Sequence, residues 1–270
     1  MSRLGIIAGG GALPLKLIQA CQRDRKNFFV LALQGQTDKK ILIDIPHQWS
    51  RVGGINDAIG ILKAENVDTL VMAGSVRRPG LLEMKPDWRT VQVFARLGKA
   101  AFGDDALLRA VAGELEKDGF KVIGAHEIEP QLITPEGVLT KKMPSPENKA
   151  DLEYGIRVVK TLGGMDIGQA AVVQQGVVLG VEAIEGTDEL LRRCKKLRRK
   201  GHGGVLVKGC KPQQDKRLDL PAVGIRTVRY AYEAGLEGIA VEAGASLLLD
   251  REEVIAAADK LGIFVTGFKP

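Results

Sequence analysis

Aromatic residues make up only 4% of this 270-residue chain, and there are three cysteines and three histidines. So few aromatic side chains argue against the stacking platforms that hold single-stranded nucleic acid, and no nucleic-acid partner is expected. Cys21, Cys194 and Cys210 are widely spaced and form no CxxC pair, so neither a disulfide framework nor a zinc site is indicated. His47, His126 and His202 lack metal-ligand spacing as well. A reducing cytoplasm is the expected setting. The longest apolar runs fall far short of the roughly 20 residues that span a bilayer. The opening MSRLGIIAGGGALP has too short an apolar stretch to read as a cleaved signal.

What is present is the composition of a soluble globular protein, 45% hydrophobic and 27% charged, long enough for one large domain or two ordinary ones. Lys and Arg number 39 against 33 Asp and Glu, a formal net charge of +6. Much of that excess sits in Leu191–Lys200, where Arg192, Arg193, Lys195, Lys196, Arg198, Arg199 and Lys200 meet no acid. With nucleic acid disfavoured, the excess points to phosphate or to an anionic membrane surface.

Short apolar runs alternate with helical periodicity through the first half. Strands are expected at Leu4–Ala8, Phe28–Leu33, Ile41–Ile45, Thr69–Ala73 and Lys121–Ala125, and helices at Leu13–Arg25, Asn56–Glu65, Trp88–Leu97 and Ala106–Asp118. That alternation predicts a Rossmann-like parallel sheet covered on both faces. Residues 127–146 hold four prolines and no long periodic segment, which reads as a linker. The fold class expected is therefore α/β in two domains, a Rossmann-like domain over 1–132 and a mixed α/β domain over 133–270. In the second, a helix over Glu147–Leu162 precedes a hairpin around Gly176. A basic helix over Asp188–Lys200, a strand at Gly204–Val207, a helix near Thr227–Ala234, an apolar run at Gly238–Val241 and a last helix at Arg251–Lys260 follow.

Gly9-Gly10-Gly11 lies between a strand and a helix, where glycine permits a tight turn and brings helix N–H groups close to an anion. A dinucleotide fingerprint would need glycine at position 14 and an acid after the second strand. Pro14 and Leu33-Gln34-Gly35 stand there instead, so a general nucleotide or phosphate cradle fits better. Gly74-Ser75-Val76-Arg77-Arg78-Pro79 also follows a strand end and can face the same crevice, its arginines suited to bidentate phosphate contact.

The densest chemistry lies in Val177–Lys211 and the PQQDKRLDLP that follows. Glu182, among apolar neighbours, is expected to be at least partly buried, and a buried carboxylate needs a partner or a metal. Thr187 can cap the basic helix, with Asp188 and Glu189 at its positive end. Its apolar stripe of Leu190, Leu191, Cys194 and Leu197 packs on a core. Asp215, Arg217 and Asp219 alternate, so an extended chain would point all three to one side. With Lys208 and Lys211 upstream, two such carboxylates can hold Mg²⁺ or activate water, although a surface ion-pair strand has the same pattern. Gln169, at the entry to the hairpin, is a neutral hydrogen-bonding group.

Five stretches in this order, IAGGGALP (7–14), GSVRRP (74–79), DIGQ (166–169), VEAIEGTD (181–188) and KGCKPQQDKRLDLP (208–221), resemble the LpxI-type UDP-2,3-diacylglucosamine pyrophosphatases of lipid A biosynthesis. They are spread over essentially the whole chain. The resemblance implies two α/β domains with the acylated sugar nucleotide bound between them, and Mg²⁺-dependent hydrolysis of the diphosphate to UMP and 2,3-diacylglucosamine 1-phosphate. It implies attack of water on the phosphorus nearer the sugar. It places an essential aspartate at Asp215 or Asp219 without deciding between them, and puts Gly10, Gly11, Ser75, Val76, Gln169, Thr187 and Asp188 near substrate.

The expected metal set is Asp219, Asp215 and Glu182, with Lys208, Lys211 and the Arg77/Arg78 loop on phosphate oxygens. The partners expected are the acylated UDP-sugar and, through the basic helix, the anionic cytoplasmic face of an inner membrane, reached peripherally. A homo-oligomer is compatible with all of this. The competing class is a non-catalytic nucleotide- or phospholipid-binding module built on the same cradle. An NAD(P) oxidoreductase is weaker, for want of the fingerprint.

Overall fold

A computed structural model describes residues 2–77, 84–98 and 104–270. Arg78 and Pro79 of the second loop lie outside the described residues. The chain divides into two compact units. One comprises Met1–Pro130 with Asp215–Asp219, and the other comprises Gln131–Gln214 with Leu220–Pro270. Asp215 and Asp219 therefore belong by their contacts to the first unit, although they lie far along the sequence.

The first unit holds a five-stranded sheet of β1 (Leu4–Ala8), β2 (Phe28–Leu33), β3 (His47–Ser50), β4 (Thr69–Ala73) and β5 (Lys121–Ile123), in the order β3-β2-β1-β4-β5. Every pairing is parallel. The central strands are nearly continuous apolar runs because helices cover both faces. Those helices are α1 (Leu13–Arg23), α2 (Ile55–Ala64), α3 (Trp88–Leu97), α4 (Asp104–Lys117) and the short α5 (Ala125–Ile128). Phe29, Leu31, Leu62, Leu70, Val93 and Leu115 form one core, and Leu218 from the returning segment is buried in it.

Two expectations fail in this unit. Ile41–Ile45 is not a strand, since Asp38 caps a 3-10 turn over Lys39–Leu42 by accepting from the Lys40 N–H. A side chain that satisfies the backbone locally competes with a sheet ladder, and the strand falls later, at His47–Ser50. The strand from Lys121 stops at Ile123, where Glu127 accepts from the Gly124 N–H and opens α5.

The second unit is mixed. Its six-stranded sheet runs β6 (Gly137–Val138), β13 (Phe264–Phe268), β11 (Gly238–Glu242), β9 (Val205–Lys208), β7 (Ala170–Gln174), β8 (Val177–Val181). Strands β9, β11 and β13 are parallel, while β7, β8 and β6 pair antiparallel. A separate parallel pair joins β10 (Ala222–Val223) to β12 (Leu247–Leu248). The helices are α6 (Pro146–Gly164), α7 (Gly186–Cys194), α8 (Ile225–Glu233) and α9 (Arg251–Leu261). The hairpin forms around Gln175 and Gly176, both at positive φ, and their N–H groups donate to buried Asp151 at 2.9 and 2.7 Å. The proline-rich stretch is less of a linker than its composition suggests. Its second half supplies β6, and the Thr134 N–H donates to Ser246 O. Among the described residues no helix is long and apolar enough to cross a membrane.

Candidate functional site

In the first unit the chemistry gathers at the carboxyl ends of β1, β2 and β4, where the strand order reverses and open α/β sheets place their ligands. Gly10 and Ser75 bridge the turns after β1 and β4, with Gly10 N–H to Ser75 O at 2.7 Å and Ser75 N–H to Gly10 O at 3.0 Å. The approach is so close that a Cβ on Gly9 would lie 2.5 Å from Ser75 O, and one on Gly74 (φ +91°) only 2.2 Å from Gly10 O. Gly11, at φ +87°, turns the chain into α1, whose first N–H groups have no partners within the helix. Pro14 occupies the first turn of that helix without cost, because its missing N–H was not needed there.

The turn after β2 supplies residues that the sequence reading missed. Gln36 clamps the β4 turn, its Nε2 donating to Arg77 O at 3.2 Å and its Oε1 accepting from Arg77 N–H at 2.8 Å. Thr37 Oγ1 donates to Ala8 O at 2.6 Å. The rule that ligands collect at strand ends could have marked Gln36, since it follows β2. The clamp holds Arg77, whose side chain is exposed beside exposed Ser75 and Val76.

The Asp215–Asp219 segment is not extended. Asp215 O accepts from the N–H groups of Leu218 (2.9 Å) and Asp219 (3.3 Å), so the chain makes one tight turn. Its cause is local. Asp215 Oδ1 accepts from the Arg217 N–H, and the Arg217 guanidinium spans both carboxylate oxygens at 3.1 and 2.7 Å. That hydrogen bonding holds the Asp215 carboxyl below its ordinary range. Arg217 also reaches Glu116 on α4 at 2.8 Å, and buried Leu218 anchors the turn. The expected extended strand is therefore replaced by a turn. The two carboxylates stand one turn apart, half-buried Asp215 committed to Arg217 and Asp219 exposed.

The second unit holds its own cluster. Buried Thr187 Oγ1 donates to buried Glu182 at 2.5 Å and accepts from the buried Lys208 ammonium at 2.9 Å. Lys208 Nζ also donates to Ala222 O at 3.1 Å. The second Glu182 oxygen accepts from the Gln169 N–H at 3.1 Å. Thr187 therefore does not cap α7. The N-cap position is Glu185, which makes no side-chain cap hydrogen bond. Asp188, in the first turn, pairs with Arg226 at 2.7 Å. Lys211 pairs with Asp166 at 2.7 Å. Gln169 Oε1 is buried with no hydrogen-bond partner, an uncommon state that marks it as a place for a ligand group. Among the described residues no group of three or more His, Cys, Asp or Glu is placed to hold a metal ion.

Comparison with known proteins divides the chain at nearly the same point, with Asp215–Asp219 falling inside the second family model. A family model described as the LpxI N-terminal domain matches residues 3–132, and one described as the LpxI C-terminal domain matches 135–266. The chain is 45% identical over 277 residues to the UDP-2,3-diacylglucosamine pyrophosphatase LpxI of Caulobacter vibrioides, covering 100% of this chain and 99% of that protein. A solved structure of CobK precorrin-6A reductase aligns with 100% of this chain and 90% of that one at 11% identity and a TM-score of 0.34, too weak a likeness to bear on fold or function. With both family domains matched in order and a full-length relative at that identity, this chain belongs to the LpxI family.

Proposed function

We propose that this chain hydrolyses the diphosphate of UDP-2,3-diacylglucosamine, releasing UMP and 2,3-diacylglucosamine 1-phosphate, in lipid A biosynthesis. The observation that carries the reading is the end-to-end 45% identity to a protein of that activity. Water adds to the phosphorus nearer the sugar, the bond from that phosphorus to the bridging oxygen breaks, and UMP departs with the bridging oxygen. The water proton passes to solvent or to a carboxylate.

Each part of the reaction has residues suited to it. A diphosphate needs donors to its oxygens, and the turn at Gly11 leads into the backbone N–H groups at the start of α1, with Gly10 fixing that turn through its bridge to Ser75. Ser75, Val76 and exposed Arg77 stand at the bridged turn beside it. In the second unit, the support for a substrate contact is the Gln169 Oε1, buried and without a hydrogen-bond partner among the described residues, while Thr187 and Asp188 start α7. Lys208 acts through Thr187, since its ammonium is buried against that hydroxyl and a main-chain carbonyl. Glu182 shares that positioning role, both of its oxygens being engaged within the unit. Lys211 stands at the surface end of the same loop, ion-paired to Asp166.

Asp219 is the residue we assign to the reaction centre. Of the two candidate aspartates, Asp215 has both oxygens spanned by Arg217 and serves to shape the turn that presents Asp219. The donor set fits Mg²⁺, which is held by one or two carboxylates together with water and substrate phosphates and needs no cage of three protein ligands. Asp219 would hold it, with Asp215 within one turn. When bound, the ion neutralises charge gathering on the diphosphate oxygens.

The reading also places the enzyme at the cytoplasmic face of an anionic inner membrane, where a substrate with two acyl chains resides. Its test is UMP release from UDP-2,3-diacylglucosamine by the purified chain, with Mg²⁺ and with a chelator. Release with the metal and its loss with chelator are expected. Release unaffected by the chelator would remove the metal from the account.

A further inference from the structure

The seven cations of the basic stretch do not behave alike. Arg192 pairs with Glu189 and stacks on Tyr230, its guanidinium 4.7 Å from the ring centre. Arg193 pairs with Glu185 at 2.9 Å. Beyond them α7 ends at Cys194, a 3-10 turn covers Lys195–Leu197, and Arg198 turns extended (φ −53°, ψ 132°). The expected helix to Lys200 therefore stops six residues early. Residues 195–200 are all exposed, and none of their five cations forms an ion pair among the described residues. Leu197, half exposed at 50%, sits in their midst.

The backbone at the far end of this exposed segment is tied to the side chains of Gln174 and Gln175. Gln174 on β7 is fully buried. Its Oε1 accepts from the Arg199 N–H at 2.9 Å, and its Nε2 donates to Arg199 O at 3.0 Å and to His202 O at 2.7 Å. Gln175 Nε2 donates to Lys200 O at 2.7 Å. Leu190, Leu191 and Cys194 anchor the preceding helix in the core. Helix-dipole matching accounts for one or two cations at a helix C-terminus. It does not account for five exposed cations without an ion pair among the described residues, on a stretch that includes a half-exposed leucine. Of the five, Arg198 turns its guanidinium back against Gly235. Like charges so displayed repel one another unless an anionic partner meets them.

We propose that the 195–200 segment is the surface by which this chain docks on an anionic lipid bilayer, the cations meeting headgroups and Leu197 entering the interface. The inference rests on the proposed lipid substrate for its choice of occupant. A nucleic acid would use the charges but gain nothing from Leu197, and the segment has no aromatic side chain for a base to stack on.

The test uses the full chain and vesicles of phosphatidylcholine alone or mixed with phosphatidylglycerol. Sedimentation with the mixed vesicles only, weakening as salt rises past ~0.15 M, is expected. The combined variant Lys195→Ala, Lys196→Ala, Arg199→Ala, Lys200→Ala should bind them roughly 600-fold more weakly, since each of the four basic residues near such a surface contributes about fivefold. Leu197→Ser should lose a smaller share. Hydrolysis of a short-chain substrate dispersed in neutral detergent should be unchanged in both variants, which also shows that they fold. Equal binding of wild type to both vesicle types, undiminished binding by the fourfold variant, or capture of duplex DNA in place of vesicles would each overturn the proposal. Failure of the wild type to turn over the detergent-dispersed substrate would instead overturn the hydrolase reading.

Discussion

Asp219→Ala is expected to lower kcat by on the order of 10³-fold or more while leaving the melting temperature within about 2 °C of wild type. The first half follows from electrostatics. Negative charge moves onto bridging and terminal oxygens as the diphosphate breaks, and a carboxylate stabilises it through the cation it would hold. Losing one such electrostatic contribution typically costs ~10²–10³ in rate. Loss of the cation itself would cost more. The second half follows from exposure, since truncating an exposed side chain removes little buried area and leaves the Asp219 N–H that closes the turn in place. Asp215→Ala should behave differently. Arg217 would lose the carboxylate that fixes it, the turn would loosen, and lowered stability would accompany lowered turnover. Asp215→Ala falling in rate with an unchanged melting temperature, while Asp219→Ala turns over near wild-type rates, would reverse the assignment.

Gly74→Ala is expected to be the most damaging conservative change in the first unit. Its φ of +91° is a conformation that L side chains rarely adopt, and its Cβ would lie 2.2 Å from Gly10 O. The obstacle is backbone held in a two-way bridge, so it cannot swing aside as a flexible side chain would. Strain of this kind costs about 1–3 kcal/mol, and the collision adds to it. The bridged turn would shift the Gly10-Gly11 N–H groups and Ser75 together. A displacement near 1 Å can cost ~10² in rate, so kcat/KM should fall at least that far even where the variant folds. Gly11→Ala is the useful contrast. A Cβ there meets nothing within 4 Å, leaving only the strain of φ +87°. Urea denaturation and steady-state kinetics on the pair separate collision from strain. Equal effects at both positions would show that the bridge does not matter.

Much of this architecture is legible in the chain because its signals are local. Leu4–Ala8, Phe28–Leu33 and Thr69–Ala73 read as buried strands from unbroken apolar runs and are strands over those residues. The hairpin is announced by Gln175-Gly176 between β-rich runs. Where the reading fails, a polar contact outweighs a pattern. Asp38 turns an apolar run into a 3-10 helix, Thr187 leaves the cap position to meet Glu182, and Asp215 folds an alternating segment onto Arg217. None of these contacts shows in periodicity.

The site divides the same way. The Gly10–Ser75 bridge follows from strand order, a rule that spacing alone can suggest. The allegiance of Asp215–Asp219 to the first unit rests on Leu218 entering a core some 100 residues earlier in the chain, and nothing in the PQQDKRLDLP stretch encodes that partner. Lys208 reads as a phosphate ligand by type and position, yet the fold buries it. Gln36 carries no motif and is visible only once three turns are seen to converge.

The most direct test of the account is hydrolysis of UDP-2,3-diacylglucosamine in water enriched in heavy oxygen, with both products analysed by mass. The account predicts one label in the phosphate of 2,3-diacylglucosamine 1-phosphate and none in UMP. Label in UMP would place the attack on the other phosphorus, and the absence of both products would contradict diphosphate hydrolysis altogether.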